Sequence, residues 1–199
     1  HPGVNVVASL DEALADDDIG LIVLATPHDT HRDLAIAAMD AGKPVVTDKI
    51  VAMNAAETVE MAEAATRNDV LFSVFHNRRW DWDFLTVKKA IADGYIGEPY
   101  LYESAIMRYG RPGGWRGVKS ESGGILYDWG AHLVDQALTL VPSKVTSVYC
   151  QTQYRGWDTD IGSYVCVNLN FENGAVYRVE VGNLSMYERP RFHVLGDVG

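Results

Sequence analysis

Three short apolar runs, separated by helix-length stretches, constrain this chain more than any other feature. Leu21-Ile22-Val23-Leu24-Ala25 stops abruptly at Thr26-Pro27, and Val45-Val46-Thr47 runs into Asp48-Lys49-Ile50. Val70-Leu71-Phe72-Ser73-Val74-Phe75 ends at His76-Asn77-Arg78-Arg79-Trp80. The stretch between the first two starts a helix near Asp29-Thr30, is expected to bury Leu34, Ala37 and Ala38, and stops at Gly42, a residue suited to the position after a helix. The next helix opens at Asn54, with Glu57 three residues on, and runs to about Thr66. Upstream, residues 4–8 read as a short strand, and Ser9 with Glu12 forms the capping box of a helix through Leu14. A further helix covers residues 82–93 and ends at Gly94. Strand and helix alternating to about residue 95 argue for a parallel sheet, with its apolar strands covered on both faces. Ligands of such sheets bind outside the carboxyl ends of the strands, where Thr26-Pro27-His28 and Asp48-Lys49 fall.

After Gly97-Glu98-Pro99 the grammar changes, which sets expected domains of 1–97 and 98–199. Residues 100–108 read as a strand, and Arg111-Pro112-Gly113-Gly114 with Ser122-Gly123-Gly124 marks an irregular stretch. A long helix over 125–141 precedes strand-like runs at 145–154, 163–171 and 175–181, with a further strand beginning at 191–195. Val165, Val167, Leu169 and Phe171 alternate with Tyr164, Cys166, Asn168 and Asn170, the period of a half-buried strand. Glu172-Asn173-Gly174 supplies a hairpin turn, and Tyr177, Val179 and Val181 continue the buried face. The second half is therefore α+β with an open, mainly antiparallel sheet.

Composition removes whole classes of function. Seventeen Lys and Arg against 27 Asp and Glu give a formal charge of −10, and no basic stripe offsets it, so nucleic acid and anionic membranes are poor partners. No stretch approaches the roughly 20 apolar residues of a membrane-crossing helix. Cys150 and Cys166 fall inside expected strands and read as buried thiols of a reducing compartment, not as a disulfide or metal pair. His1-Pro2-Gly3-Val4 carries neither an initiator Met nor the charged start of a leader, so the chain reads as a fragment.

Lys49, at a strand's carboxyl edge, suits a general acid/base; the plain reading is an exposed lysine paired with Asp48. Asp128, His132 and Asp135 stand four and three apart, on one face of a helix. A carboxylate one turn from a histidine fixes its tautomer, although a surface ion pair has the same spacing. The Gly123-Gly124 entry favours function, since small residues let a ligand approach the helix start. His28-Asp29-Thr30-His31 lacks the ligands of a zinc site and reads as a helix entry facing a phosphate or ribose. Asn77, Arg78 and Arg79 end a strand, where arginines bind an anion or simply solvate a loop, and Trp115-Arg116 is equally open. Tyr100, Tyr102 and Tyr109 read as core or rim.

Taken together the pieces resemble the glucose–fructose oxidoreductase/inositol dehydrogenase (Gfo/Idh/MocA) family of NAD(P)-dependent oxidoreductases. Ala25-Thr26-Pro27-His28-Asp29-Thr30-His31 is similar to the family's ATP-x-x-x-H segment, and Ala41-Gly42-Lys43-Pro44-Val45-Val46-Thr47-Asp48-Lys49 to its AGK-x-V-x-x-EKP segment. Gly123-Gly124-Ile125-Leu126-Tyr127-Asp128-Trp129-Gly130-Ala131-His132-Leu133-Val134-Asp135 is similar to its GG-x-x-x-D-x-G-x-H-x-x-D helix. Residues 73–81 and Asp48-Lys49 resemble the branch of NADP-dependent scyllo-inositol dehydrogenases.

The resemblance implies an α/β Rossmann domain followed by an α+β substrate domain, and hydride transfer between NADP or NAD and a polyol, inositol or sugar. It implies Lys49, Asp128 and His132 as catalytic residues, with Lys49 and His132 meeting the reacting oxygen and Asp128 orienting the imidazole. Ala25, Thr26, Pro27, His28, His31, Asp48, Trp115 and Arg116 would line the cofactor, and Asn77 and Arg79, with Asp128 and His132, the substrate. A homodimer or homotetramer through the C-terminal sheet and a soluble, cytoplasmic enzyme are implied as well. Two positions depart from the pattern: Ile50 stands where the family has proline, and Asp48 where it has glutamate. No G-x-G-x-x-G follows a first strand, so the chain is expected to begin after that unit, to stop before the family's C-terminal end, and not to hold a dinucleotide tightly by itself. A sugar- or dinucleotide-sensing regulator of the same fold, or an inactive truncated piece, are the rival readings.

Overall fold

In the computed structural model, which describes residues 3–199, the three apolar runs lie side by side. His1 and Pro2, at the opening that lacks an initiator Met, lie outside the described residues. β1 (Ile22–Leu24), β2 (Val45–Asp48) and β3 (Phe72–Phe75) form a parallel sheet in that order, with Ile22 opposite Val45 and Val45 opposite Phe72. Three helices accompany it: α1 (Leu10–Leu14), α2 (His31–Asp40) and α3 (Ala55–Asn68). Both capping boxes form. Ser9 Oγ accepts from Glu12 N at 3.3 Å while Glu12 reaches back to Ala8 N at 2.9 Å. Asn54 Oδ1 accepts from Glu57 N at 3.0 Å, and Glu57 accepts from Met53 N at 2.9 Å.

Ile22, Leu24 and Val45 pack with Ala35, Ala38 and Met39 of α2 and with Met61 and Ala64 of α3. Met39 and Met61 are fully buried, each contributing about 1.5–3 kcal/mol of transfer free energy. The sequence reading needs four corrections here. Residues 4–8 form no strand: Val4, Val6 and Val7 are exposed, and no described strand pairs with them. The strands are covered on one face only within this unit, since α2 and α3 pack on the Ile22/Leu24 side and leave Val23, Leu71 and Phe75 exposed. Ala37 is exposed and Leu34 half-buried, because the helix turns Ala35, Ala38 and Met39 inward instead. Helix α2 also starts later than expected, after a 3₁₀ turn over His28–Thr30.

A second unit is built from α4 (Trp82–Ala92), β4 (Pro99–Met107), α5 (Lys119–Ser122), α6 (Ala131–Leu140) and β5 to β8. The last four strands are Val145–Gln153, Tyr164–Phe171, Val176–Gly182 and Phe192–Gly196. The sheet order is β5-β6-β7-β4-β8, antiparallel except for the β4–β7 pair. The alternation read in β6 and β7 holds: Val165, Val167, Leu169, Phe171, Tyr177, Val179 and Val181 are all buried against Leu133 and Ala137 of α6. Tyr102 stacks on Tyr177 with ring centroids 5.4 Å apart, and burial pushes the Tyr177 phenol up to about 12. The other face is polar, with Glu180 held by Tyr164, Arg178 and Arg189.

Two details of this unit differ from expectation. Packing divides the chain at Phe75/His76, not at residue 97, because Phe84, Val87 and Ile91 of α4 join the second unit's core. Cys166 is a buried free thiol, but Cys150 is exposed, because both faces of the edge strand β5 are open over most of its length.

Candidate functional site

The carboxyl edge of the first sheet collects Ala25, Thr26 and Pro27 after β1 and Asp48, Lys49 and Ile50 at the end of β2. Thr30 Oγ1 donates to the Pro27 carbonyl at 2.7 Å, so its single proton is committed and the 2.7 Å contact from Thr26 Oγ1 is Thr26 donating. His31 is fully buried, with Nδ1 2.7 Å from the Ile50 carbonyl and 3.1 Å from Thr47 Oγ1, and Nε2 3.0 Å from the Thr26 carbonyl. One imidazole thus ties the end of β1 to the residue after Lys49. Its ring nitrogens are engaged inside the fold, which makes His31 a clamp of the edge; the expected role facing a phosphate falls away. His28 is buried too, its ring 5.9 Å from that of His31. Asp48 Oδ1 accepts from the Lys49 amide at 2.8 Å, and Lys49 is half-buried.

In the second unit, the motif helix does not begin as a regular α-helix. Leu126–Gly130 is a π-helical turn, and α6 continues from it. Such wide single turns re-aim side chains and recur at functional sites. Gly123 and Gly124 precede it at φ of +74° and +97°. A Cβ on Gly123 would lie 2.4 Å from the Tyr127 ring, so that glycine serves the turn's own packing. Asp128 and His132 are 8% and 5% exposed, which rules out the surface ion pair. Asp128 Oδ2 lies 3.3 Å from Arg116 Nε, and that guanidinium also covers the Trp115 ring at 4.3 Å. The third motif member has a different task. Asp135 takes two hydrogen bonds from Arg79, at 2.8 and 2.6 Å, and this pairing raises the Arg79 pKa. Arg79 is therefore held by α6, while Asn77 stands exposed in the 3₁₀ turn Asn77–Trp80.

A cavity of about 350 Å³ opens beside this turn, lined among others by Arg108, Arg116, Asp128, Trp129 and Asn183. Pockets of roughly 300–1,000 Å³ accommodate small molecules. Arg108 and Asn183 were not singled out from sequence. The signal was present for Arg108, which leaves a strand end for a glycine- and proline-rich loop. Nothing local marks Asn183, whose place depends on the sheet. Among the described residues no group of three or more His, Cys, Asp or Glu is arranged to hold a metal ion, and no helix is long and apolar enough to cross a membrane.

Comparison with known proteins accounts for both units. Residues 1–76 match the oxidoreductase family's NAD-binding Rossmann fold, and residues 84–199 match the GFO/IDH/MocA C-terminal domain. The Bacillus subtilis scyllo-inositol 2-dehydrogenase (NADP(+)) IolW is 40% identical over 151 residues, 73% of this chain and 42% of that protein. An NAD-binding protein from Listeria innocua superposes with a TM-score of 0.94 at 37% identity, over 98% of this chain and 56% of that one. GenD2 from gentamicin A biosynthesis, solved with NAD, gives 0.90 at 26% identity over 99% and 58%. The chain spans about half the length of the relatives it matches. A parallel sheet followed by a mixed, mostly antiparallel one, in sequence register with both family domains, places this chain in the Gfo/Idh/MocA family of oxidoreductases.

Proposed function

We propose that this chain carries the reacting residues of an NAD(P)-dependent dehydrogenase or reductase that interconverts a secondary alcohol and a ketone on a polyol, inositol or sugar. The observation that carries the reading is the burial of Asp128, on a π-helical turn where it lines an open cavity, together with that of His132 one turn on in α6. Two buried titratable side chains are costly unless they have work to do or partners to meet. The edge formed by Thr26, Pro27 and Asp48 fits the nicotinamide end of a dinucleotide, since Thr26 and Pro27 are half-buried at the carboxyl end of a parallel strand. When bound, the nicotinamide supplies the hydride acceptor or donor.

The chain's own task is the proton. Oxidising an alcohol removes the hydroxyl proton as hydride leaves the same carbon, and reduction returns it. His132 and Lys49 are the groups we assign to hold that proton, with Asp128 fixed by Arg116 as the carboxylate that orients the imidazole. The relative with a scyllo-inositol activity supports a cyclic polyol as substrate. We assign self-association to the polar face of the second sheet; a chromatographic monomer would count against that assignment.

The test is a reduced-nicotinamide absorbance assay with inositols and aldoses, in a protein that carries this chain and spans the relatives' length. His132→Asn is expected to lower kcat by roughly 10²–10⁴-fold with the dinucleotide Kd within about two-fold. Unchanged kcat would remove His132 from the mechanism.

A further inference from the structure

Two residues that line the cavity beside the π-helical turn, Asn183 and Trp129, carry side-chain donors that have no partner among the described residues. Asn183 is 2% exposed; its Oδ1 accepts from Trp157 Nε1 at 2.8 Å, which fixes the amide, yet Nδ2 has no partner among the described residues. Trp129 Nε1 is likewise shielded from solvent and without a partner among them. Buried orphan donors are rare in native folds and ask for an acceptor that the protein does not itself provide. Arg108 supplies the charge. Its guanidinium lies over the Trp129 ring at 4.5 Å and has no carboxylate partner among the described residues. A guanidinium stacked on an indole keeps its in-plane N–H edges available for an oxyanion.

The charge balance of the lining agrees. Arg108, Arg111 and Arg116 face one carboxylate, Asp128, and Arg116 already pairs with it. Arg111 donates to the Asp158 carbonyl at 3.0 Å, which leaves its charge uncompensated by that bond. In a chain of net charge −10, a concave site with this excess of cations is a local reversal of sign.

We infer that this cavity is an oxyanion subsite, with Arg108, Asn183 and Trp129 as its donors, that takes a carboxylate or phosphate group carried by the sugar or polyol. Assigning that group to the substrate rests on the dehydrogenase reading above. The same chemistry could come from a dinucleotide phosphate, and the experiment separates the two sources.

The experiment is calorimetric titration of a protein that carries this chain and spans the relatives' length, with glucuronate, with glucose as its neutral counterpart, and with NAD and NADP, beside the reduced-nicotinamide assay on the same protein. Wild type is compared with Arg108→Gln, an exposed position that leaves the core untouched, and with Asn183→Asp, which keeps the acceptor for Trp157 and reverses the donor. Glucuronate is expected to bind at least about ten-fold tighter than glucose, Arg108→Gln to erase the preference, and Asn183→Asp to abolish glucuronate binding. Equal binding of the two sugars, no glucuronate binding to wild type, or a preference that survives both substitutions overturns the inference. So does a loss in Arg108→Gln confined to NAD or NADP, which would give the donors to the cofactor. Glucuronate binding without nicotinamide turnover on any substrate would refute the dehydrogenase and leave the subsite standing. Turnover of neutral polyols with no glucuronate preference would do the reverse.

Discussion

The edge of the first sheet and the motif helix of the second unit hold their polar residues by opposite means. At the edge, His31, Thr26, Thr30 and Asp48 are fixed almost entirely by backbone groups and by each other, without a charge pair at the clamp. On the helix, Asp128 and Asp135 are fixed by guanidinium groups, Arg116 and Arg79. Hydrogen bonds to buried carbonyls are short-ranged and indifferent to salt. Pairs whose arginine is half-exposed are screened and adjustable. The first region is therefore built to hold one geometry, and the second to respond to charge, including the charge of a ligand.

The largest expected effect is on the first side of that comparison. His31→Ala removes a fully buried ring together with its contacts to Ile50 and Thr26, and should cost about 3 kcal/mol of stability, independent of salt. All five tryptophans lie at or beyond residue 80, so circular dichroism is the appropriate probe of the first unit. A loss under about 1 kcal/mol would show that the clamp is incidental.

Alkaline pH should separate the units next. The Tyr177 phenol ionises near pH 10 when unfolded and at about 12 in the fold. The unfolded chain thus releases its proton first. The stabilisation is whole below pH 10 and is lost as pH rises from there through about 12, a total of roughly 2–3 kcal/mol. Tryptophan emission during urea unfolding should show this slope in wild type and a flatter one in Tyr177→Phe; equal slopes would exclude Tyr177 as its origin.

On the helix, Asp135→Asn should cost about 1 kcal/mol at low salt, after allowing for the half-exposed Arg79, and less at high salt. A salt-independent loss would erase the contrast with the edge. The smallest effect is expected at the end of α3, where Asp69 occupies the left-handed position at φ +51°. Asp69→Gly should stabilise by up to about 1 kcal/mol, and a destabilised variant would mean that the aspartate has a partner the turn requires.

What could be read in the sequence follows the range of the forces involved. The capping boxes at Ser9 and Asn54, and the alternation through residues 165–171, depend on neighbours a few residues away, and they appear as expected. Burial of whole faces does not. Val23 and Phe75 look like core in an apolar run, but whether a helix covers them is decided by elements distant in the chain. The parting at Phe75/His76 was hidden for the same reason, since Phe84 and Ile91 find their partners in strands that come much later. The site shows the same division. Asp128 and His132 were marked by spacing, and their burial followed. Asp135 shared that spacing, yet the π-helical turn and Arg79 gave it another task, and Asn183 reached the cavity only through the sheet.

The most direct measurement follows reduced nicotinamide in wild type beside Lys49→Ala, in a protein that spans the relatives' length, with inositols and aldoses and with both cofactors. The account predicts turnover that falls by roughly 10²-fold or more in the variant while dinucleotide binding survives. Dinucleotide binding with no turnover on any substrate in either protein, or equal turnover in both, would contradict it.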